Sequence, residues 1–133
     1  MLDDEPYVSL RTFRRSGVAV DTPVWCAPAD GHLYVFSAGE AGKVKRIRND
    51  GNAQLAPCNA TGKLRGEWVD CNAVLLDGGE EVQTALRALR HKYGWQMRLA
   101  DWGAKLTGKF DRRAYIRITR QVPASESQSE SGD

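Results

Sequence analysis

The chain has 133 residues, of which 41% are hydrophobic and 27% are charged, and its formal net charge is +2. These values are typical of one globular domain, and they exclude a chain that is disordered throughout. No apolar run approaches the ~20 residues of a membrane-spanning helix. The acidic start, MLDDEPYVSL, lacks the layout of a signal peptide. We therefore expect a cytoplasmic protein with no membrane partner.

Six stretches of the chain predict β-strands. The segment 7–15 is rich in β-branched and aromatic residues, and the segment from Val18 to Cys26 alternates with a period of two. Because Pro23 cannot donate to a ladder, this second strand should lie at an edge or a bulge. Alternation or β-branched content predicts the other four strands, within 32–38, 52–60, 67–76 and 112–120. Short turns between most strands favour an antiparallel meander that closes into a small barrel.

Three helices complete the prediction. A short one covers residues 41–49, with Val44 and Ile47 on its buried side. After Gly78 and Gly79 the period becomes helical, and Gly94 separates two helices. The apolar positions of these two helices, which we expect in the core, are Val82, Leu86, Leu89, Tyr93, Trp95, Leu99, Trp102 and Leu106. We expect one domain over residues 1–122 and a disordered Ser/Glu-rich tail over 123–133.

The three cysteines, Cys26, Cys58 and Cys71, form no CxxC pair. An odd number cannot be fully paired within one chain, which fits a reducing compartment. Free cysteine packs as a small hydrophobic residue, so all three are expected to be structural. With only two histidines besides, the sequence shows no zinc constellation and no metal site is expected.

The segment SAGEAGKVKRIRND, residues 37–50, carries the chemistry. Four cations lie within six positions, after a strand that ends in small residues: Lys43, Lys45, Arg46 and Arg48. Unpaired N–H groups at a helix start favour an anion, Ser37 can add a hydroxyl and Lys43 a full charge. Two interpretations follow from the spacing: a phosphate site, or a solvated cationic helix face.

The stretch TPVWCAPADGHLYVFSAGEAGKVKRIRND resembles the signature of the pyridoxamine 5'-phosphate oxidase-like (PPOX class) family of flavin- and deazaflavin-binding split β-barrels. It is most similar to the subgroup of F-420-dependent oxidoreductases, and the similarity covers residues 7–120. Cys26 stands where such proteins often carry an aromatic residue, and Asp50-Gly51 where they often carry a proline. The resemblance implies a mainly β fold with helices, a six-stranded antiparallel split β-barrel, and a homodimer.

The resemblance also implies a cofactor, FMN or the deazaflavin coenzyme F-420, bound between the subunits. The backbone of Thr22, Pro23, Val24 and Trp25 would face the ring system. The phosphate would be held by Ser37, Ala38, Lys43 and Lys45. Arg46 is a further candidate. Trp68 of the partner subunit would be a lid. No general acid or base is named, because hydride transfer is mainly the cofactor's chemistry.

Three functions remain open at this point. The first is an oxidoreductase that transfers a hydride to or from a small organic substrate, and the second is a flavin- or deazaflavin-binding carrier, store or sensor without turnover. Both use the same residues. The third, a nucleic-acid-binding barrel, would need aromatics interleaved with cations, whereas Tyr34 and Phe36 lie on a different element from the cationic helix. We therefore expect no nucleic-acid partner.

Overall fold

The computed structural model describes residues 2–39, 41–108 and 113–121. The strands in these ranges are β1 (Val8–Phe13), β2 (Ala19–Val24), β3 (Cys26–Ala29), β4 (His32–Ala38), β5 (Asn52–Pro57), β6 (Val69–Leu75) and β7 (Arg113–Arg120). The helices are α1 (Gly42–Asn49), α2 (Glu80–Tyr93) and α3 (Trp95–Leu106), and a 3-10 turn (Leu2–Asp4) precedes β1. The tail predicted over 123–133 lies outside the described residues. No helix of the described part is long and apolar enough to cross a membrane.

All seven strands form one antiparallel sheet in the order β2-β1-β5-β6-β7-β4-β3. Its two edge strands, β2 and β3, are consecutive in the chain and are separated only by Trp25. A sheet whose edges are joined by a single residue has to curl until those edges meet. The fold is therefore a curled antiparallel sheet, consistent with a split barrel.

The predicted count of six strands is wrong, and the reason lies at Trp25. The strand predicted from Val18 to Cys26 divides there, because its first half pairs with β1 and its second half pairs with β4. Val18 itself is 56% exposed and precedes β2. The prediction for Pro23 is confirmed, since this residue lies in an edge strand, where a missing N–H donor is tolerated.

The concave side of the sheet holds the main core. Strands β1, β4, β5, β6 and β7 each turn alternate residues inward, as a period of two requires. The leucine and isoleucine side chains of this cluster are Leu2, Leu10, Leu33, Ile47, Leu55, Ile116 and Ile118. Ile47 comes from α1, so the cationic helix is anchored to the core by its apolar side, as predicted.

A second core lies on the convex side of β3, β4 and β7, under α2 and α3. Tyr34 and Tyr115 point out of the sheet and pack against Leu86 and Leu89 of α2. The ring of Trp25 stacks on Tyr93, with ring centroids 4.6 Å apart and planes 10° from parallel. The predicted apolar side of α2 is confirmed. The break at Trp25 is therefore fixed from outside the barrel by the end of α2.

The prediction for α3 is wrong. Its four expected core residues are exposed, at 68% for Trp95, 56% for Leu99, 64% for Trp102 and 68% for Leu106. The buried side of α3 is the opposite one, with Met97 and Asp101. Asp101 accepts from Arg113 at 2.7 Å and from Arg90 at 2.9 Å. These two ion pairs orient the helix, and the apolar spacing alone could not reveal them.

Substitution of Tyr93 tests how the separation of β2 from β3 at Trp25 is stabilised. The backbone N–H of the buried Cys26 donates to the Tyr93 hydroxyl at 2.8 Å, and that hydroxyl donates to the Pro6 carbonyl at 2.8 Å. Tyr93→Phe leaves a buried N–H without its acceptor, which costs about 1–3 kcal/mol. Urea denaturation should show that loss of unfolding free energy.

The matched control is Tyr115→Phe, a buried tyrosine on the same side of the sheet for which no hydroxyl hydrogen bond is seen within the described ranges. It should change the unfolding free energy by less than about 0.5 kcal/mol. Equal effects of the two substitutions would contradict the account of Tyr93.

Candidate functional site

The sheet opens beside the end of β4. Cys26 lies opposite Val35, so an unbroken strand would place Val24 opposite Ser37. Val24 instead pairs with Val8 of β1. Strand β2 therefore separates from β4 at the level of Ser37. This residue lies just before the segment that leads into α1. This divergence brings the predicted ring-facing segment and the predicted phosphate-binding segment to one opening.

The four residues of the ring-facing segment differ in what they can offer a ligand. Val24 is buried in the barrel and Trp25 is stacked on Tyr93, so these side chains are already engaged. Thr22 is half-buried and Pro23 is exposed. The available groups at this opening are therefore backbone atoms together with the side chains of Thr22 and Pro23.

The first turn of α1 faces the same region. Its N-cap, Ala41, has no side chain that could bond the free N–H groups of the turn. Lys43 is half-buried, Lys45 is exposed, and Ser37 is buried at the end of β4. Ala38, the neighbouring candidate, forms the last residue of that strand. Backbone donors and a lysine are thus placed together, as a phosphate site requires.

Arg46 folds back over this turn. Its Nε donates to the hydroxyl of Thr12 on β1 at 2.6 Å. A Cβ built on Gly42 would lie 2.7 Å from the Arg46 guanidinium nitrogen Nη1. Gly42 is therefore the residue that lets the guanidinium lie against the backbone of the helix start. Thr12 and this contact could not be found in the sequence, because they depend on the docking of α1 onto β1.

Three cations share this region. The pKa of Lys43 is lowered by burial and by the charge of Arg46. The pKa of Arg46 is lowered by burial and by the charge of Arg14 at the end of the β1 ladder. Burial and mutual repulsion both disfavour the charged forms of these side chains, and a bound anion would offset that cost. Arg14 was missed by sequence reasoning, although TFRR stands in the sequence, because only the tertiary structure places it beside α1.

An open cleft of about 280 Å³ continues from this cluster between the β1–β2 turn and α1. Its lining is cationic or polar apart from one phenylalanine: Phe13, Arg14, Arg15, Lys45, Arg46 and Asn49. Lys45 and Arg46 both line this cleft, whereas Lys43 is not among its lining residues. The predicted phosphate residues therefore fall into two groups. Ser37, Ala38 and Lys43 lie at the end of β4 and the start of α1, and Lys45 and Arg46 line the adjoining cleft.

Trp68 is not part of this cluster within one chain. It is half-buried just before β6, and the guanidinium carbon of Arg11 lies 3.9 Å from its ring centre. Arg11 is in turn bound to Asp21 at 2.8 Å and 3.0 Å. The cation–π contact and the ion pair account for its position in the monomer. A lid role in a partner subunit stays a prediction.

The described residues supply no evident acid or base at the opening. Tyr34 donates to Glu81 at 2.9 Å, and burial together with this bond raises its pKa to about 12. Burial raises the pKa of Cys26 to about 12 and that of Cys71 to about 11. All three cysteines are free and buried, where a thiol packs as a small hydrophobic residue. Within these ranges no cluster of His, Cys, Asp and Glu could hold a metal ion.

Comparison of the whole fold with solved structures gives clear similarities. The heme storage protein HutZ of Vibrio cholerae has a TM-score of 0.69 at 8% identity, over 91% of this chain and 85% of HutZ. An FAD-binding protein of Mesorhizobium loti has a TM-score of 0.61 at 18% identity, over 91% and 83%. A protein of Listeria innocua named for pyridoxamine 5'-phosphate oxidase has a TM-score of 0.59 at 13% identity, over 91% and 88%.

At such low identities, the TM-scores show a shared fold and nothing further. No family model matches the sequence, and no curated protein matches it. The chain therefore has the split-barrel fold of proteins whose names refer to flavin, heme or pyridoxamine phosphate chemistry.

The position of Arg46 can be tested through Gly42. Gly42→Ala adds a methyl group where the guanidinium now lies and should displace it from Thr12. Alanine is up to about 1 kcal/mol more favourable than glycine in a helix, so the melting temperature should be unchanged or higher. The Arg46 Nε–H resonance should shift and exchange faster with water in NMR spectra. An unchanged resonance would show that Arg46 does not lie over Gly42.

Proposed function

We propose that the protein is an oxidoreductase that uses FMN or coenzyme F-420 to transfer a hydride to or from a small organic substrate. The observation that supports this proposal is the cation cluster of Lys43, Arg46 and Arg14 on and beside α1, in which burial and mutual repulsion lower the pKa values of Lys43 and Arg46. The fold is the one found in the FAD-binding and oxidase-like proteins compared above. The cytoplasm is the proposed location, in line with three free thiols.

The residues at the opening fit a phosphorylated ring cofactor. The first turn of α1, Ser37 and Lys43 would hold the phosphate, with Ala38 alongside, and Arg46 would close the site from the β1 side. The backbone of Thr22–Trp25 would face the ring, where Pro23 leaves no N–H to pair. Lys45 would meet anionic groups farther along the cleft. When bound, such a cofactor supplies the hydride chemistry, while the protein positions the ring and the substrate.

A second candidate is a carrier, store or sensor that binds the same cofactor without turnover. The observation that favours it is that HutZ, which is named as a storage protein, has the same fold. Reduction of the bound cofactor followed by transfer to a panel of small acceptors separates the two. Transfer faster than that from free cofactor supports the enzyme.

Heme has less support from these residues. His32 lies at the opposite end of β4 from Ser37, and its Nδ1 is 3.1 Å from the Thr119 hydroxyl. His91 is exposed on α2. Neither imidazole lies at the cationic opening. Both candidate functions therefore involve flavin-type cofactors.

Assembly is part of the proposal, because a ring cofactor held only by the edge of one barrel would remain half-exposed. We expect a homodimer in which Trp68 of the partner completes the cleft. Light scattering at micromolar concentration should give twice the chain mass of 14.7 kDa. A monomer under those conditions, with cofactor bound at full affinity, would contradict the shared site.

Lys43 is expected to be the principal phosphate contact. A hydrogen bond to a charged group is worth about 1.5–3 kcal/mol. Since about 1.4 kcal/mol is tenfold in affinity, Lys43→Ala should weaken FMN or F-420 binding by about ten- to a hundredfold. Titration followed by fluorescence measures this directly for both cofactors.

Arg48→Ala is the matched control. It removes a cation from the same helix, but Arg48 is exposed near its end, away from the first turn. It should change the affinity less than about threefold. If Lys43→Ala binds both cofactors as tightly as the parent, the cluster is a solvated face and the proposed site is wrong.

The lowered pKa of Lys43 gives a pH test. An anion favours the protonated lysine, so binding raises this pKa and takes up a proton. Cofactor affinity should therefore fall as pH rises through the free protein's Lys43 pKa, which lies below the ordinary 10.5. The Lys43→Ala variant should lose this component of the pH profile. Parallel profiles for parent and variant would contradict a phosphate contact by Lys43.

A further inference from the structure

Two clefts of the surface meet at Phe13. One is the cleft of about 280 Å³ between the β1–β2 turn and α1, which we call the α1 cleft. The other has a volume of about 180 Å³ and is lined by residues of β5 and β6, and we call it the β5 cleft. Phe13 is half-buried and lines both. One ligand can therefore extend across this ring, and the two volumes together are those of a small-molecule site.

The α1 cleft is lined by four cations and no acid: Arg14, Arg15, Lys45 and Arg46. Among the described residues, none of the four forms an ion pair. Two acids close in sequence are engaged elsewhere, since Asp21 binds Arg11 and Asp50 accepts from the backbone N–H of Asn52 at 3.0 Å. Glu40 lies outside the described residues. The described part of the chain therefore leaves the positive charge of this cleft without a counter-charge.

The cations of the α1 cleft stand on anchored backbone. The N–H of Arg14 donates to the Val18 carbonyl at 2.9 Å, and the N–H of Gly17 donates to the Arg14 carbonyl at 2.8 Å, which closes the β1–β2 turn. The Arg46 side chain is held by its bond to Thr12. Arginine matches phosphate oxygens with two parallel N–H donors. Several cations along one cleft suit a ligand with two linked phosphates better than a single anion.

The β5 cleft supplies hydrogen-bonding groups of another kind. Asp70 Oδ1 accepts from Gln54 Nε2 at 2.7 Å, and Gln121 Nε2 donates to the Cys71 carbonyl at 3.2 Å. Within the described ranges, the second carboxylate oxygen of Asp70 and the side-chain amide of Asn52 have no hydrogen-bond partner. An asparagine amide can pair with N6 and N7 of adenine, and a carboxylate can accept from the amino group of a base. These free groups suit an adenine.

We propose that the two clefts together bind an adenosine diphosphate group, with its phosphates in the α1 cleft and its adenine in the β5 cleft. Phe13 would pack against the adenosine, since bases stack on aromatic side chains. Such a group occurs as a free nucleotide and as one half of a dinucleotide cofactor such as FAD. Arg46 lines the α1 cleft and also lies over Gly42, so a dinucleotide could continue to the first turn of α1. The site does not rest on the proposed function, because ADP can be tested alone.

Titration calorimetry of the full chain with three probes tests the proposal. ADP should bind about tenfold or more tightly than inorganic pyrophosphate, because stacking on Phe13 and the β5 cleft contribute only to ADP. Inosine diphosphate carries a carbonyl oxygen where adenine has its amino group. It should bind about fivefold more weakly than ADP, because the Asp70 carboxylate then faces an oxygen instead of an N–H donor. Added salt should weaken the binding of all three.

Variants at exposed positions locate the two contacts. Arg14→Ala with Arg15→Ala should weaken ADP binding about tenfold or more, because two charged partners of the phosphates are lost. Arg48→Ala with Arg87→Ala is the control, since it removes two exposed arginines that line neither cleft, and the affinity should change less than about threefold. Asp70→Asn should remove the preference for ADP over inosine diphosphate without weakening pyrophosphate binding. Circular dichroism and melting curves check that each variant folds.

A comparison of FAD with FMN identifies the source of the group. If FAD binds about tenfold or more tightly than FMN and ADP displaces it, the group is the nucleotide half of the cofactor. If the two flavins bind equally and ADP binds beside FMN, the group is a free nucleotide. If ADP binds and neither flavin does, the nucleotide site is supported and the proposed flavin is contradicted.

Three results would overturn the proposal. ADP that binds no more tightly than pyrophosphate would show a cationic surface without a nucleoside site. Equal ADP affinity of the parent and of Arg14→Ala with Arg15→Ala would exclude the α1 cleft as the phosphate contact. Equal affinity of the parent for ADP and inosine diphosphate would exclude the β5 cleft as the adenine contact.

Discussion

The break at Trp25 is the constraint on which the structure depends. One residue connects the two edge strands, so β2 and β3 must stay together while pairing with β1 and β4. The sheet curls for that reason, and it opens for the same reason where β2 departs from β4. The stack of Trp25 on Tyr93 and the bond from Cys26 to the Tyr93 hydroxyl hold the break in place.

The opening and the cationic helix belong to one arrangement. Helix α1 is anchored by Val44 and Ile47, so its position relative to β1 is fixed by the barrel core. Arg46 then reaches Thr12, and the glycine at 42 makes room for it. Holding Arg46 near Lys43 and Arg14 is unfavourable without an anion, as the lowered pKa values of Lys43 and Arg46 indicate. A bound phosphate would turn this repulsion into attraction.

Much of the fold could be predicted because strands and helices leave periodic signals. The inward faces of β6 and β7 and the buried side of α2 follow directly from alternation and helical spacing. The division at Trp25 could not be predicted, because both halves of the segment have the same alternation and differ only in their partners. The exposed side of α3 was missed because the tryptophans and leucines lie on it, whereas the buried side holds only Met97 and Asp101, whose burial depends on ion pairs with Arg113 and Arg90.

For the candidate site, too, contacts between residues distant in the sequence could not be predicted. Ser37, Lys43 and Arg46 are close in sequence, so their grouping could be predicted from a strand end followed by a short helix. Arg14 and Thr12 enter through the contact between α1 and β1, which are about thirty residues apart in the chain. Trp68 was predicted to be a site residue, but within one chain the structure shows only its contact with Arg11. Its role as a lid in a partner subunit stays a prediction.

The central claim is that the opening beside Ser37 binds a phosphorylated flavin or deazaflavin. The most direct measurement is the visible absorption spectrum of the purified protein, followed by mass spectrometry of whatever heat releases, with FMN and F-420 added back to the emptied chain. We expect a flavin or deazaflavin spectrum that returns on reconstitution with one of the two. A protein that binds neither, or that releases and rebinds heme, would contradict it.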